Sequence, residues 1–145
     1  MKDAEKQLCR QIIKLCLTWA EITYNAEFIF QNTPRSKSIV AAGKPPAPRS
    51  NDRDDRRQAL RHQYWSAWLY LSLKNPDAWL QAHESGEKNK EDVRCDMRNN
   101  LTGKQIATTG IKRYPNVSRI GELITYIDET IYSGVKAGKY CARRR

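Results

Sequence analysis

The chain has 145 residues, with 26 Lys and Arg against 16 Asp and Glu and a formal charge of +10, enough for one domain with a true core that needs no metal or disulfide to fold. That surplus favours anionic partners: nucleic acid, a cell-envelope polymer or lipid headgroup, or an acidic cognate such as an immunity protein. A merely solvated basic surface is the plainer alternative. No apolar run is long enough for a transmembrane segment, and the opening MKDAEKQLCR is acidic with no apolar stretch behind it, so a Sec signal peptide is not expected.

From residue 4 to 31 the positions Leu8, Ile12, Ile13, Leu15, Cys16, Trp19, Ile22 and Ala26 recur at threes and fours without Gly or Pro. That period predicts a long N-terminal helix over 1–32. Residues 33–51 hold Pro34, Gly43, Pro45, Pro46 and Pro48, and read as a proline-rich connector. A second helix starts near Asn51 or Asp52 and ends before Asn75-Pro76; its opening, Arg53 to Arg57, reads as a solvated helix start. Pro76 opens a short third helix that stops at Gly86. A fourth covers 91–110, and after a turn at Tyr114-Pro115-Asn116 a fifth runs from about Val117 to Lys136. Its apolar stripe is Val117, Ile120, Leu123, Ile124, Ile127, Ile131 and Val135. The tail 141–145 reads as a frayed basic end. The fold class is therefore all-α: a compact single-domain bundle of about five helices, with 52–140 packed on the N-terminal helix.

Cys9, Cys16, Cys95 and Cys141 show no CxxC spacing, which argues against a zinc ribbon or a thioredoxin-type centre. Cys9 and Cys16, on one helical face, read most simply as small buried hydrophobes. A bond from Cys9 or Cys16 to Cys141 is the alternative in an oxidising compartment.

The informative residues fall on three consecutive helices. His62 shares a stripe with Trp65 and Leu69; His83 and Glu84 close the third helix; Asp96, Asn99, Asn100 and Gly103 share a face of the fourth. Short connections make these helices neighbours, so His62, His83, Glu84 and Asp96 are expected to meet in one polar pocket. Two imidazoles and two carboxylates suffice to hold a divalent metal that activates water. Without a metal the same groups serve as general acid and base. Arg61 and Arg98 suit an anionic group, and Asn99 and Asn100 suit a developing oxyanion, with Trp65 alongside as a substrate contact. A buried polar network that only fixes helix packing would produce the same pattern. The aromatic residues Tyr64, Trp65, Trp68, Tyr70 and Trp79 read as core before they read as base-stacking platforms. Thr102-Gly103-Lys104 lacks the glycine-rich loop of a phosphate-binding Walker motif.

The series Arg61-His62-x-Tyr64-Trp65, Ala82-His83-Glu84 and Asp96-x-x-Asn99-Asn100-x-x-Gly103 resembles an uncharacterised bacterial domain of lipoproteins and secreted, polymorphic-toxin-like proteins. The likeness spans about 55–138, including Val135 and Gly138. It departs at Lys104, where arginine is expected, and at Arg98, where a smaller or uncharged residue is common. The resemblance implies an all-helical toxin or effector module that is cytoplasmic in its producer and exported by a dedicated secretion system. It supplies no reaction. The functional expectation is an antibacterial hydrolase acting on an anionic substrate, nucleic acid before peptidoglycan or phospholipid. A binding, adaptor or immunity-type helical module is the alternative.

Overall fold

The computed structural model describes residues 3–4, 33–46, 53–73, 76–86 and 89–143. The long helix expected over 1–32, with Cys9 and Cys16, therefore lies almost wholly outside the described residues. Among those residues the chain is all-α, with no strand.

The proline-rich connector was expected to lack regular structure, but its first half is helical: α1 spans Pro34–Ala42. Thr33 caps it, its hydroxyl accepting the Ser36 N–H at 3.2 Å. Pro34 occupies the first turn, where a missing N–H costs nothing and a fixed φ helps. The remaining prolines end the helix rather than forbid it. Ile39 and Ser36 are buried, so α1 belongs to the body of the domain.

Helix α2 spans Arg53–Ser72 and α3 spans Pro76–Glu84, with Gly86 taking the left-handed turn (φ 78°) that follows. Helix α4, Lys90–Arg113, is longer than expected at both ends. Asn89 caps it by accepting from Glu91 N–H and Asp92 N–H, with acidic residues in the first turn and Lys112 and Arg113 in the last. A 3₁₀ turn, Val117–Arg119, precedes α5, Ile120–Lys136. Val117 and Ile120 were expected in the apolar stripe but face solvent, Val117 at 83% exposure, because the chain is still turning there. The stripe proper is Leu123, Ile127, Ile131 and Val135, all buried.

The core joins that stripe to Ile39, Leu60, Trp65, Leu69, Trp79 and Leu80. Each large side chain fully buried there stabilises by roughly 1.5–3 kcal/mol. Tyr64, Trp65 and Trp79 are buried and Trp68 and Tyr70 partly so; all belong to packing. Helices α2 and α4 form the closest pair, with the Gly103 backbone lying against that of Gln63.

Residues after α5 fold back across α2 and α4. Gln63 donates to the Lys139 carbonyl at 3.4 Å, Cys141 N–H donates to Asn99 Oδ1 at 3.2 Å, and Arg94 donates to the Ala142 carbonyl at 3.2 Å. Cys141 is disulfide-bonded to Cys95, so its partner is neither Cys9 nor Cys16. The tail through residue 143 is thus tied down rather than frayed. Arg143 reaches Asp54 at 3.2 Å, Asp55 at 3.1 Å and Asp92. The start of α2 is not simply solvated either. Asp55 and Arg56 are buried, the first facing Arg143 and the second donating to the Val40 carbonyl at 2.8 Å. No described helix is long and apolar enough to cross a membrane.

Candidate functional site

The stripe of α2 that carries Trp65 and Leu69 into the core carries His62 with them, leaving the imidazole 1% exposed. A polar ring at that depth must be matched by partners. They come from α3 and α4. Glu84, the last residue of α3, places Oε1 3.9 Å from His62 Nδ1. Asn100 and Asp96, one turn apart on α4, embrace the ring. Asn100 Oδ1 lies 3.1 Å from Nδ1, and Asp96 Oδ1 lies 3.2 Å from Nε2.

The protonation pattern follows from these neighbours. Burial pushes the His62 imidazole down to about 3, and the nearby Arg61 charge pushes the same way. The ring is therefore neutral at pH 7. An amide oxygen can only accept, so Nδ1 carries the proton and donates to Asn100. Nε2 is left bare, with a carboxylate oxygen beside it but off the axis of its lone pair. Burial also pushes the Asp96 carboxyl up to about 6, against the pull of Arg143 and Arg61. His62 Nε2 and Asp96 Oδ1 are both buried and neither makes a well-directed hydrogen bond among the described residues, despite their 3.2 Å separation. Two bare acceptor atoms side by side in a dry setting repel. A proton or a cation between them turns the contact attractive.

One ligand atom from each of His62, Glu84 and Asp96 lies within 4.8 Å of the others. Among the described residues, these are the ones grouped closely enough to hold a metal ion. His62 and Glu84 are buried, while the Asp96 side chain keeps 13% of its surface in solvent, with its Oδ1 buried against His62.

The remaining expected residues divide. His83 does not join the cluster: its ring lies 6.3 Å from that of His62 and packs on Trp65 at 4.6 Å, half-buried at the rim. Arg61, also half-buried, is close enough for its charge to act on both His62 and Asp96. Trp65 is buried and forms a wall rather than an open contact surface. Asn99 is one residue from Asn100 but turns to another task, accepting from Gln63 at 3.3 Å and from Cys141 N–H. Arg98 is exposed and lines a separate concavity of about 380 Å³ with Leu101, Tyr140 and Cys141, away from the cluster. The sequence gives no local signal for Arg143, whose charge also reaches His62 and Asp96. Only the Cys95–Cys141 pairing, which brings the tail to α4, would have pointed to it.

No protein-family model, no curated protein and no solved structure matches the chain.

Proposed function

We propose that the chain is the hydrolytic domain of an antibacterial toxin or effector, acting on an anionic substrate with nucleic acid first among them. The observation that carries this reading is the meeting of one imidazole and two carboxylates from three helices, with two arginine charges acting on the same place. Such a centre activates a water molecule. Arg61 offsets the charge of a phosphodiester and of its transition state, and the surplus of basic residues supplies the general attraction to a polyanion. The Cys95–Cys141 bond favours a working place outside a reducing cytosol, which suits an exported protein.

The test is turnover by purified protein on RNA, DNA, peptidoglycan and phospholipid vesicles in separate reactions, each with divalent metals supplied. Cleavage of RNA or DNA that Asp96→Asn abolishes, with folding intact, is the expected result. Cleavage of peptidoglycan or phospholipid instead moves the substrate to the envelope, and silence on all four rejects the hydrolase.

A second reading is supported by the depth of His62 and by the Gln63–Asn99–Cys141 network beside it. There the polar groups only fix helix packing, in a binding or immunity-type module. Under that reading Asp96→Asn lowers the melting temperature, and biological activity tracks the folded fraction.

A further inference from the structure

The unpaired contact between His62 Nε2 and Asp96 Oδ1 bears on what sits at the centre of the cluster. The two atoms are 3.2 Å apart. Two donors bound to one tetrahedral zinc at about 2.0–2.1 Å stand roughly 3.3 Å from each other. The pair is therefore already spaced as neighbouring ligands of a single ion. Glu84 brings a third donor: its Oε1 lies 3.9 Å from His62 Nδ1, one ligand atom from each of the three residues lies within 4.8 Å of the others, and rotation of the Glu84 side chain has to carry a carboxylate oxygen to the Nε2 side. Behind the ring, Asn100 accepts from Nδ1–H at 3.1 Å. That contact fixes the tautomer with Nε2 bare and the ring turned toward Asp96, the job done by an outer partner of a metal-bound histidine.

We infer that His62 Nε2, Asp96 and Glu84 bind one divalent transition-metal ion, with Asn100 orienting the imidazole. A neutral imidazole with two carboxylates gives the empty centre two negative charges, and a divalent ion neutralises them, so that the site no longer repels an anionic substrate. A nitrogen donor suits zinc, and the two carboxylates also admit manganese. Magnesium, which prefers oxygen donors and keeps its waters, fits poorly. The three protein ligands leave a tetrahedral ion one position for water. This deepens the hydrolase reading and rests on it only for the role of that water; the binding claim stands on the geometry alone.

Calorimetric titration of tag-free, EDTA-treated and dialysed protein with ZnCl2, MnCl2 and MgCl2 tests it, with melting temperature read in parallel. One equivalent of Zn2+ or Mn2+ should bind and raise the melting temperature, with Mg2+ far weaker. Asp96→Asn and Glu84→Gln should each weaken binding by about tenfold or more, while His83→Gln leaves it unchanged. Circular dichroism shows that each variant is folded. If His62→Gln does not fold, the two carboxylate variants decide. Absence of binding to wild-type protein, or equal affinity in Asp96→Asn and Glu84→Gln, overturns the site. Hydrolysis that persists in EDTA also overturns a metal role while leaving a metal-free hydrolase standing. Binding that shows the expected variant pattern without turnover on any substrate upholds the site and rejects the hydrolase.

Discussion

Gly103 of α4 touches the backbone of Gln63 of α2 so closely that a Cβ at 103 would stand 2.1 Å from the Gln63 carbonyl oxygen. No rotamer relieves such a contact, because the obstacle is main chain. Gly103→Ala must push α4 away from α2, and with it Asp96 and Asn100 away from His62. The expected cost is about 3 kcal/mol, seen as a lower urea midpoint at unchanged m-value. A midpoint within error of wild type would mean that the two helices are not held at this distance.

Cys95 and Cys141 close a loop across a sequence separation of 46 residues. In the chain-entropy account a loop of that size stabilises by about 4 kcal/mol. Reduction, or Cys95→Ser with Cys141→Ser, should lower stability by about 3–4 kcal/mol. Denaturation with and without reductant checks this, and coincident curves would show that the bond contributes nothing.

Arg143 faces Asp55, a buried carboxylate at the start of α2, at 3.1 Å. Arg143→Ala strips that carboxylate of a charge-assisted partner and should cost about 1–3 kcal/mol. Asp55→Asn combined with Arg143→Ala should cost less than the sum of the singles, a coupling read from a double-mutant cycle. Strict additivity would refute the pairing.

Burial acts on His62 and Asp96 with opposite signs for stability. His62 titrates at about 3 when folded and near ~6.5 when unfolded. The unfolded chain thus takes up a proton that the folded one refuses, and stability falls as pH drops below ~6.5. Asp96 titrates at about 6 when folded against ~3.9 unfolded. Its proton stabilises the fold below that range, a contribution lost as pH rises from ~4 through ~6. In wild type the two largely cancel between those limits. In EDTA, Asp96→Asn should lose about 1.5–2 kcal/mol between pH 6.5 and pH 5, whereas wild type changes by less than about 0.5 kcal/mol. Parallel pH profiles for the two proteins would contradict the assignment.

The helices that carry the cluster were legible because their apolar spacing is regular and their ends carry ordinary stop signals. His62, Trp65 and Leu69 on one face of α2 are all buried, and Glu84 and Asp96 arrive from the neighbouring helices as their spacing implies. His83 was less legible. Adjacent residues on a helix point about 100° apart, so Glu84 turning inward leaves His83 on the rim against Trp65. Helix α1 was hidden by composition, since prolines at 45, 46 and 48 colour the whole segment although Pro34 itself favours a helix start. Val117 and Ile120 fit the period of α5 but fall in the 3₁₀ turn and on the first residue of the helix, and periodicity alone does not mark where burial begins. Arg143 depends on pairings 88 and 89 residues away, to Asp55 and Asp54, which no local pattern records.

Those pairings set an order of events during synthesis. The first turn of α2 emerges from the ribosome long before residue 143, and its buried carboxylate has to wait for the guanidinium that neutralises it. Local helices form in about a microsecond, while residues are added at about 5–20 per second. The nascent chain therefore spends seconds with α2 formed before Arg143 can reach Asp55. Closure of the tail over α2 is thus a late, long-range step that cannot precede the synthesis of residue 143.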